Sequence, residues 1–202
     1  MTSKVSTAKG IETDGRKRRT NDSRQKIIDA FLLLVKEGNK TPSAEEIAKT
    51  ANVGLRTVFR RFNEMELLYR ELIIEVQAKY LPLFLKPFTT THWRDQLNEM
   101  VDRKAQAYEV LMPYRIAAKV LMHQSPFIKQ NIERWTLTQS KFLESVLPFN
   151  KSDDLLLFKT IEVALDFDTW IQLRTTQKMS AKKSKELMSY MLENAIKNIS
   201  QP

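Results

Sequence analysis

Apolar residues recur along this chain three and four apart, segment after segment, and polar or helix-breaking residues separate the runs. Ile27, Ala30, Phe31, Leu34 and Val35 share one face of a helix that Asp22 and Gln25 can start and Gly38 can stop. Ile47, Ala48 and Ala51 give a second, shorter helix its buried face. Ser43 and Glu46 stand at capping-box spacing at its start, where hydroxyl and carboxylate satisfy backbone N–H groups reciprocally. Asn52-Val53-Gly54 interrupts the pattern, and Gly54 is the residue expected to take the positive φ of a sharp turn. The next helix buries Val58 and Phe62, four apart, and turns Arg56, Thr57, Arg60 and Arg61 elsewhere. A longer helix from Glu64 to Tyr80 points Leu67, Leu68, Leu72, Ile73 and Val76 inward.

Beyond Gly54 there is no glycine for 148 residues and no long β-branched alternation. Prolines 82, 87, 113, 126 and 148 punctuate helical runs instead, because proline is poorly tolerated inside a helix. The spacing predicts helices near 91–111, 113–123, 126–147, 153–177 and 181–199. Ser152, Asp153 and Asp154 suit one helix start and Ser180 another. The fold class that follows is all-α: a three-helix helix-turn-helix domain, then a helical bundle without internal repeats. Leu155, Phe158, Ile161, Leu165 and Trp170 lie on the penultimate helix; Leu187, Met188, Met191, Leu192, Ala195, Ile196 and Ile199 give the last a broad apolar stripe. Such faces can close the core of one subunit or pack against a second copy, and the breadth of the last stripe favours some intermolecular burial.

A capped helix, a tight turn and a short helix with arginines on its outer face is the pattern of a DNA-binding helix-turn-helix; the plainer alternative is a surface hairpin with a solvated basic face. Ile47-Ala48, Val53-Gly54, Thr57-Val58-Phe59-Arg60-Arg61-Phe62 and Glu66-Leu67-Leu68 closely resemble the N-terminal domain of the TetR (tetracycline repressor) family over about residues 23–70. The resemblance implies that the last two helices pair with their copies as a four-helix bundle, with Leu165, Trp170, Met188, Met191, Leu192, Ala195, Ile196 and Ile199 as candidate interface residues. It also implies a ligand-sensing C-terminal domain and DNA contact through the recognition helix. Leu55, Arg56, Thr57, Phe59, Arg60 and Arg61 are assigned to DNA there. Ser43 matches the family's hydroxyl residue at the start of the second helix, and Lys40 is added on charge and nearness alone. The chain departs from the family pattern at four positions: Phe59 where Tyr is usual, Met65 where Lys is usual, Arg56 where Gly is frequent, and Gly54 where Ser is frequent. Two common phosphate anchors are therefore missing, and Arg56 and Arg61 add charge nearby.

Charge strengthens the DNA reading. The 202 residues carry a formal charge of +9, which favours polyanionic partners. Residues 1–62 hold 14 Lys/Arg against 7 Asp/Glu, whereas residues 63–202 hold 19 against 17, so the excess sits with the helix-turn-helix. Residues 1–22, with Arg16-Lys17-Arg18-Arg19, read as a disordered basic arm that either reaches phosphates or a minor groove or is a solvated tail. The domains expected are thus 1–22, 23–66 and 67–202. Zero cysteines excludes disulfides and thiolate metal sites, no apolar run approaches a membrane span, and the N-terminus lacks a signal-peptide core. A cytoplasmic protein is the expectation.

Catalytic chemistry is poorly represented. His92 and His123 with no cysteine cannot make a conventional His/Cys zinc cluster, and four scattered glycines supply no phosphate-cradling loop. Asp166 and Asp168, two apart on a helix, diverge rather than pair. No catalytic residue, metal or cofactor is assigned. The middle helices do carry Trp93, Tyr108, Met112, Tyr114, Met122, Phe127, Trp135, Phe142 and Phe167. These can be ordinary core or can line a largely apolar effector pocket with Gln106, Gln139 or Asp166 as polar groups. The candidate lining is Tyr108, Met112, Met122, Trp135, Phe142 and Phe167. The expectation is a homodimeric regulator, a repressor released from a palindromic double-stranded DNA operator by a small apolar effector. A nucleoid or division factor of the same fold without an inducer is the alternative, and a helical interaction protein a third.

Overall fold

The structure is a computed structural model that describes the backbone of residues 8–62 and 65–199, with side chains from residue 21 onward in those ranges. All regular structure among the described residues is helical: α1 (Ala8–Lys36), α2 (Ala44–Thr50), α3 (Leu55–Arg61), α4 (Met65–Leu85), α5 (Trp93–Leu121), α6 (Pro126–Glu144), α7 (Leu155–Ala164), α8 (Phe167–Ile171) and α9 (Ala181–Ile196). A π-helical turn, Gln172–Thr176, continues α8. No described helix is long and apolar enough to cross a membrane. The chain divides into two compact units, residues 1–75 with 116–128 and residues 76–115 with 129–202. The domains expected from the sequence have their boundaries after residues 22 and 66.

In the first unit α1, α2 and α3 pack on one another. Ile27, Phe31, Val35, Ile47, Val58, Phe62 and Leu68 are buried between them and the start of α4. Gly38 ends α1 with φ +104°, a left-handed conformation that costs glycine nothing, and its N–H donates to the Val35 carbonyl. Arg24 then ties α1 to α4 by an ion pair with Glu71 at 2.6 Å while its guanidinium lies 5.3 Å from the Phe62 ring centre. Helical backbone begins at Ala8, where the sequence reading had a disordered arm over residues 1–22; residues 1–7 of that arm lie outside the described residues. Extending a helix already nucleated by packing costs one residue of order per hydrogen bond gained, so a polar segment can continue it without a buried face of its own.

The second unit surrounds Leu97, Met100, Val101, Tyr108, Phe158, Ile161, Trp170, Met188 and Leu192. Several boundaries differ from those the sequence suggested; α4, for one, runs through Pro82 to Leu85 instead of ending at Tyr80. Helix α5 runs through Pro113 rather than stopping near 111, because buried residues on both sides of it, from Leu97 to Tyr108 in this unit and at Ala117 and Leu121 in the first, hold it in register across the missing N–H. The helix expected over 153–177 breaks at Leu165-Asp166. There Asp166 caps α8 by accepting from the Asp168 N–H at 2.7 Å, and the Thr169 hydroxyl donates to the Val163 carbonyl at 2.6 Å. Short polar side chains compete in this way with the helical ladder. Tyr108 completes the exchange by donating its hydroxyl to the Leu165 carbonyl at 3.0 Å. The π-turn is pinned from α5: Glu109 Oε1 accepts from Trp170 Nε1 at 3.0 Å and from Arg174 Nε at 2.6 Å.

The apolar stripe assigned to a subunit interface is largely this unit's own core. Leu165, Trp170, Met188, Leu192 and Ile196 are between 0% and 6% exposed, so they have almost no surface left to bury against a partner. Met191, Ala195 and Ile199 are partly buried against the same core. The apolar side chains that α7 and α9 leave exposed are Leu155, Leu156, Val163 and Tyr190.

Candidate nucleic-acid interface and the cavity of the second unit

Ser43 and Glu46 form the expected capping box: the Ser43 hydroxyl accepts from the Glu46 N–H at 3.2 Å, and Glu46 Oε2 accepts from the Ser43 N–H at 2.8 Å. Asn39 adds a third bond, its amide donating to Glu46 Oε1 at 3.0 Å. The backbone N–H of Ser43, then its hydroxyl and the Asn39 amide, hold the Glu46 carboxyl below the usual carboxylate range. The start of α2 is therefore fixed by local bonds. The turn after it is built differently from expectation. The positive φ falls on Asn52 (+52°), whereas Gly54 is extended at φ −68°, ψ 144° and is the N-cap of α3. Asparagine tolerates the left-handed region because its short polar side chain can bond locally, and a Cβ on Gly54 would meet only Thr57 Oγ1 at 4.0 Å.

Helix α3 buries Val58, and its C-cap Phe62 is buried as well. Its opposite side presents Arg56 and Arg60, both exposed, with Leu55 37% and Phe59 49% exposed. Thr57 and Arg61 are half-buried, and Arg61 Nε is buried with no hydrogen-bond partner. Lys40 and Ser43 are exposed on the approach to α2. Among the described residues no carboxylate pairs with Arg56, Arg60 or Lys40, leaving the cations open to an anionic partner.

The second unit contains a cavity of about 30 Å³. Of the six residues expected to line a pocket, it brings together Tyr108, Trp135 and Phe167. Met112 and Phe142 pack against the core instead, and Met122 belongs to the other unit. The cavity is not largely apolar: Lys104, Arg115, Thr136, Gln139, Glu162 and Asp166 share its wall. Lys104 was not anticipated. It is 5% exposed, donating to Tyr108 Oη at 3.0 Å and to Gln139 Oε1 at 2.6 Å. Burial draws its pKa down to about 8 against an opposing pull from Asp166, and burial likewise raises the Tyr108 hydroxyl well above its ordinary value. The signal was present in the sequence, since Lys104 interrupts the apolar stripe Leu97, Met100, Val101, Ala105, Tyr108 at helical spacing. The described residues contain no group of three or more His, Cys, Asp or Glu able to hold a metal ion.

No protein-family model and no curated protein matches the chain. Among solved structures it is similar to the crystal structure of a transcriptional regulator from Rhodococcus sp. Rha1, with a TM-score of 0.67 over 91% of this chain and 99% of that one, at 12% identity. At that identity the likeness establishes the all-α fold.

Proposed function

We propose that this chain is a sequence-selective DNA-binding transcriptional regulator of TetR-like design. It acts as a homodimer that represses from a palindromic operator and is released when a small molecule occupies the second unit. One observation carries the reading. A box-capped α2 and the Asn52–Gly54 turn hold α3 with Val58 buried and with Arg56 and Arg60 exposed and, among the described residues, without a carboxylate partner. A short rigid helix offering arginine forks suits the major groove, where Arg bonds guanine bidentately. That the structurally similar Rhodococcus protein is a transcriptional regulator supports the same reading. Release by an effector requires that it bind two arrangements of the protein with different affinity.

The test is selection of bound sequences from random DNA. Two inverted half-sites about one helical turn apart, roughly 34 Å, are expected. Enrichment of no sequence, with binding that salt abolishes uniformly, refutes selective recognition. The cavity's volume of about 30 Å³ favours a second reading, a constitutive nucleoid or division factor, because drug-sized ligands occupy pockets of roughly 300–1,000 Å³. A small molecule that releases the selected DNA decides between the two.

A further inference from the structure

Lys104 and Arg115 each bring to the cavity of the second unit a hydrogen-bond donor that no described residue accepts. An ammonium carries three N–H donors. Lys104 spends two on neutral acceptors, Tyr108 Oη and Gln139 Oε1, and among the described residues nothing accepts the third. Arg115 lines the same cavity, its guanidinium carbon 5.9 Å from the Phe167 ring centre, and its buried Nε has no partner. Of the two carboxylates on the wall, Glu162 is paired with Lys159, and Asp166 accepts from the Asp168 N–H through Oδ1 and attracts the Lys104 ammonium through space. Buried donors without acceptors are costly and rare in folded proteins.

Size narrows what the cavity can take. One enclosed water needs roughly 10–15 Å³ measured in this way, so about 30 Å³ takes about two oxygen-sized groups, the span of a carboxylate. Thr136, exposed to solvent, marks the rim, and Trp135 lies on the wall. We infer that the cavity binds the carboxylate of a small organic acid between the Lys104 ammonium and the Arg115 guanidinium, with the acid's apolar body beside Trp135 and directed to the Thr136 rim. The inference deepens the effector half of the proposed function and rests on that reading for its consequence, the release of DNA.

Calorimetric titration of the full chain with butyrate and benzoate, in buffers matched with sodium chloride, tests the site. Benzamide, which has the same body as benzoate and no charge, is the control. One carboxylate per chain is expected, and Lys104→Met and Arg115→Met should each weaken binding by at least about tenfold, the scale of a charge-assisted hydrogen bond. Circular dichroism confirms that both variants fold, and the Arg115 variant keeps the test open should the Lys104 variant not. Equal binding of benzamide, or unchanged affinity in both variants, overturns the inference. Absence of carboxylate binding in a protein that still selects palindromic DNA overturns the site and leaves the regulator reading standing. Carboxylate binding by a chain that selects no DNA supports the site and removes the regulator reading.

Discussion

Replacing Lys104 with methionine should reveal what a buried ammonium costs this fold. Its pKa of about 8 lies some 2.5 units below the ordinary 10.5, and each unit corresponds to about 1.36 kcal/mol, so the charged form is disfavoured in the folded state by roughly 3 kcal/mol. Because the folded value lies below the unfolded one, the unfolded chain holds the proton between about pH 8 and 10.5 and the folded chain does not. Stability therefore rises with pH across that window. The penalty is fully present below pH 8 and gone above 10.5. Tyr108, which accepts from the Lys104 ammonium, stays neutral across that window because burial raises its pKa. Lys104→Met should thus lose the rise of about 3 kcal/mol between pH 7 and 10.5, and at pH 7 it should be at least as stable as the parent. Urea unfolding followed by tryptophan fluorescence is well placed to measure this, since Trp93, Trp135 and Trp170 all lie in the second unit. A parent and variant whose stabilities run parallel from pH 7 to 10.5, or a variant more than about 2 kcal/mol weaker at pH 7, refutes the reasoning.

Three further outcomes are expected. Arg56→Ala and Arg60→Ala should each lower affinity for the selected DNA by about 1–3 kcal/mol and relax preference at one base pair, with unchanged circular dichroism; retention of parental affinity in both removes α3 as the reading helix. Gly54→Ser should leave the fold intact and stabilise α3 by a few tenths of a kcal/mol, measurable as a higher denaturation midpoint, because serine caps better than glycine and the site has room for its Cβ. Leu156→Glu with Val163→Glu should yield a folded monomer by analytical ultracentrifugation, whereas Met188→Glu should fail to fold, since the first two side chains are 81% and 62% exposed and the last is wholly buried. A doubly substituted chain that sediments as a dimer shows that α7 does not form the interface.

Local chemistry was the legible part of this sequence. Ser43 with Glu46, and Ser180, announce helix starts through side chains acting within three residues, and both caps are present. The burial of Val58 and Phe62 opposite Arg56 and Arg60 follows from helical spacing alone. Features decided by distant partners were not legible. Nothing near Leu165 in sequence says that Tyr108, on another helix, will take its carbonyl and let the helix break there. Periodicity identifies Met188 and Leu192 as apolar-facing but gives no reason to choose a neighbouring helix over a second subunit. The positive φ went to Asn52 rather than Gly54 because both residues suit a turn and only the chain's path selects between them.

The first unit is not a continuous stretch of chain. Residues 116–128 complete it: Ala117, Leu121 and Ile128 are buried, Glu66 Oε1 accepts from the Phe127 N–H at 3.2 Å, and the Arg70 guanidinium lies 4.4 Å from the Phe127 ring centre. During synthesis, then, the first unit is still incomplete when the residues of the helix-turn-helix leave the ribosome. That unit is complete only some fifty residues later, when Phe127 emerges to meet Glu66 and Arg70 of α4. A nascent chain stalled before that point, or a fragment cut after residue 75, would leave Glu66 and Arg70 of α4 without these partners.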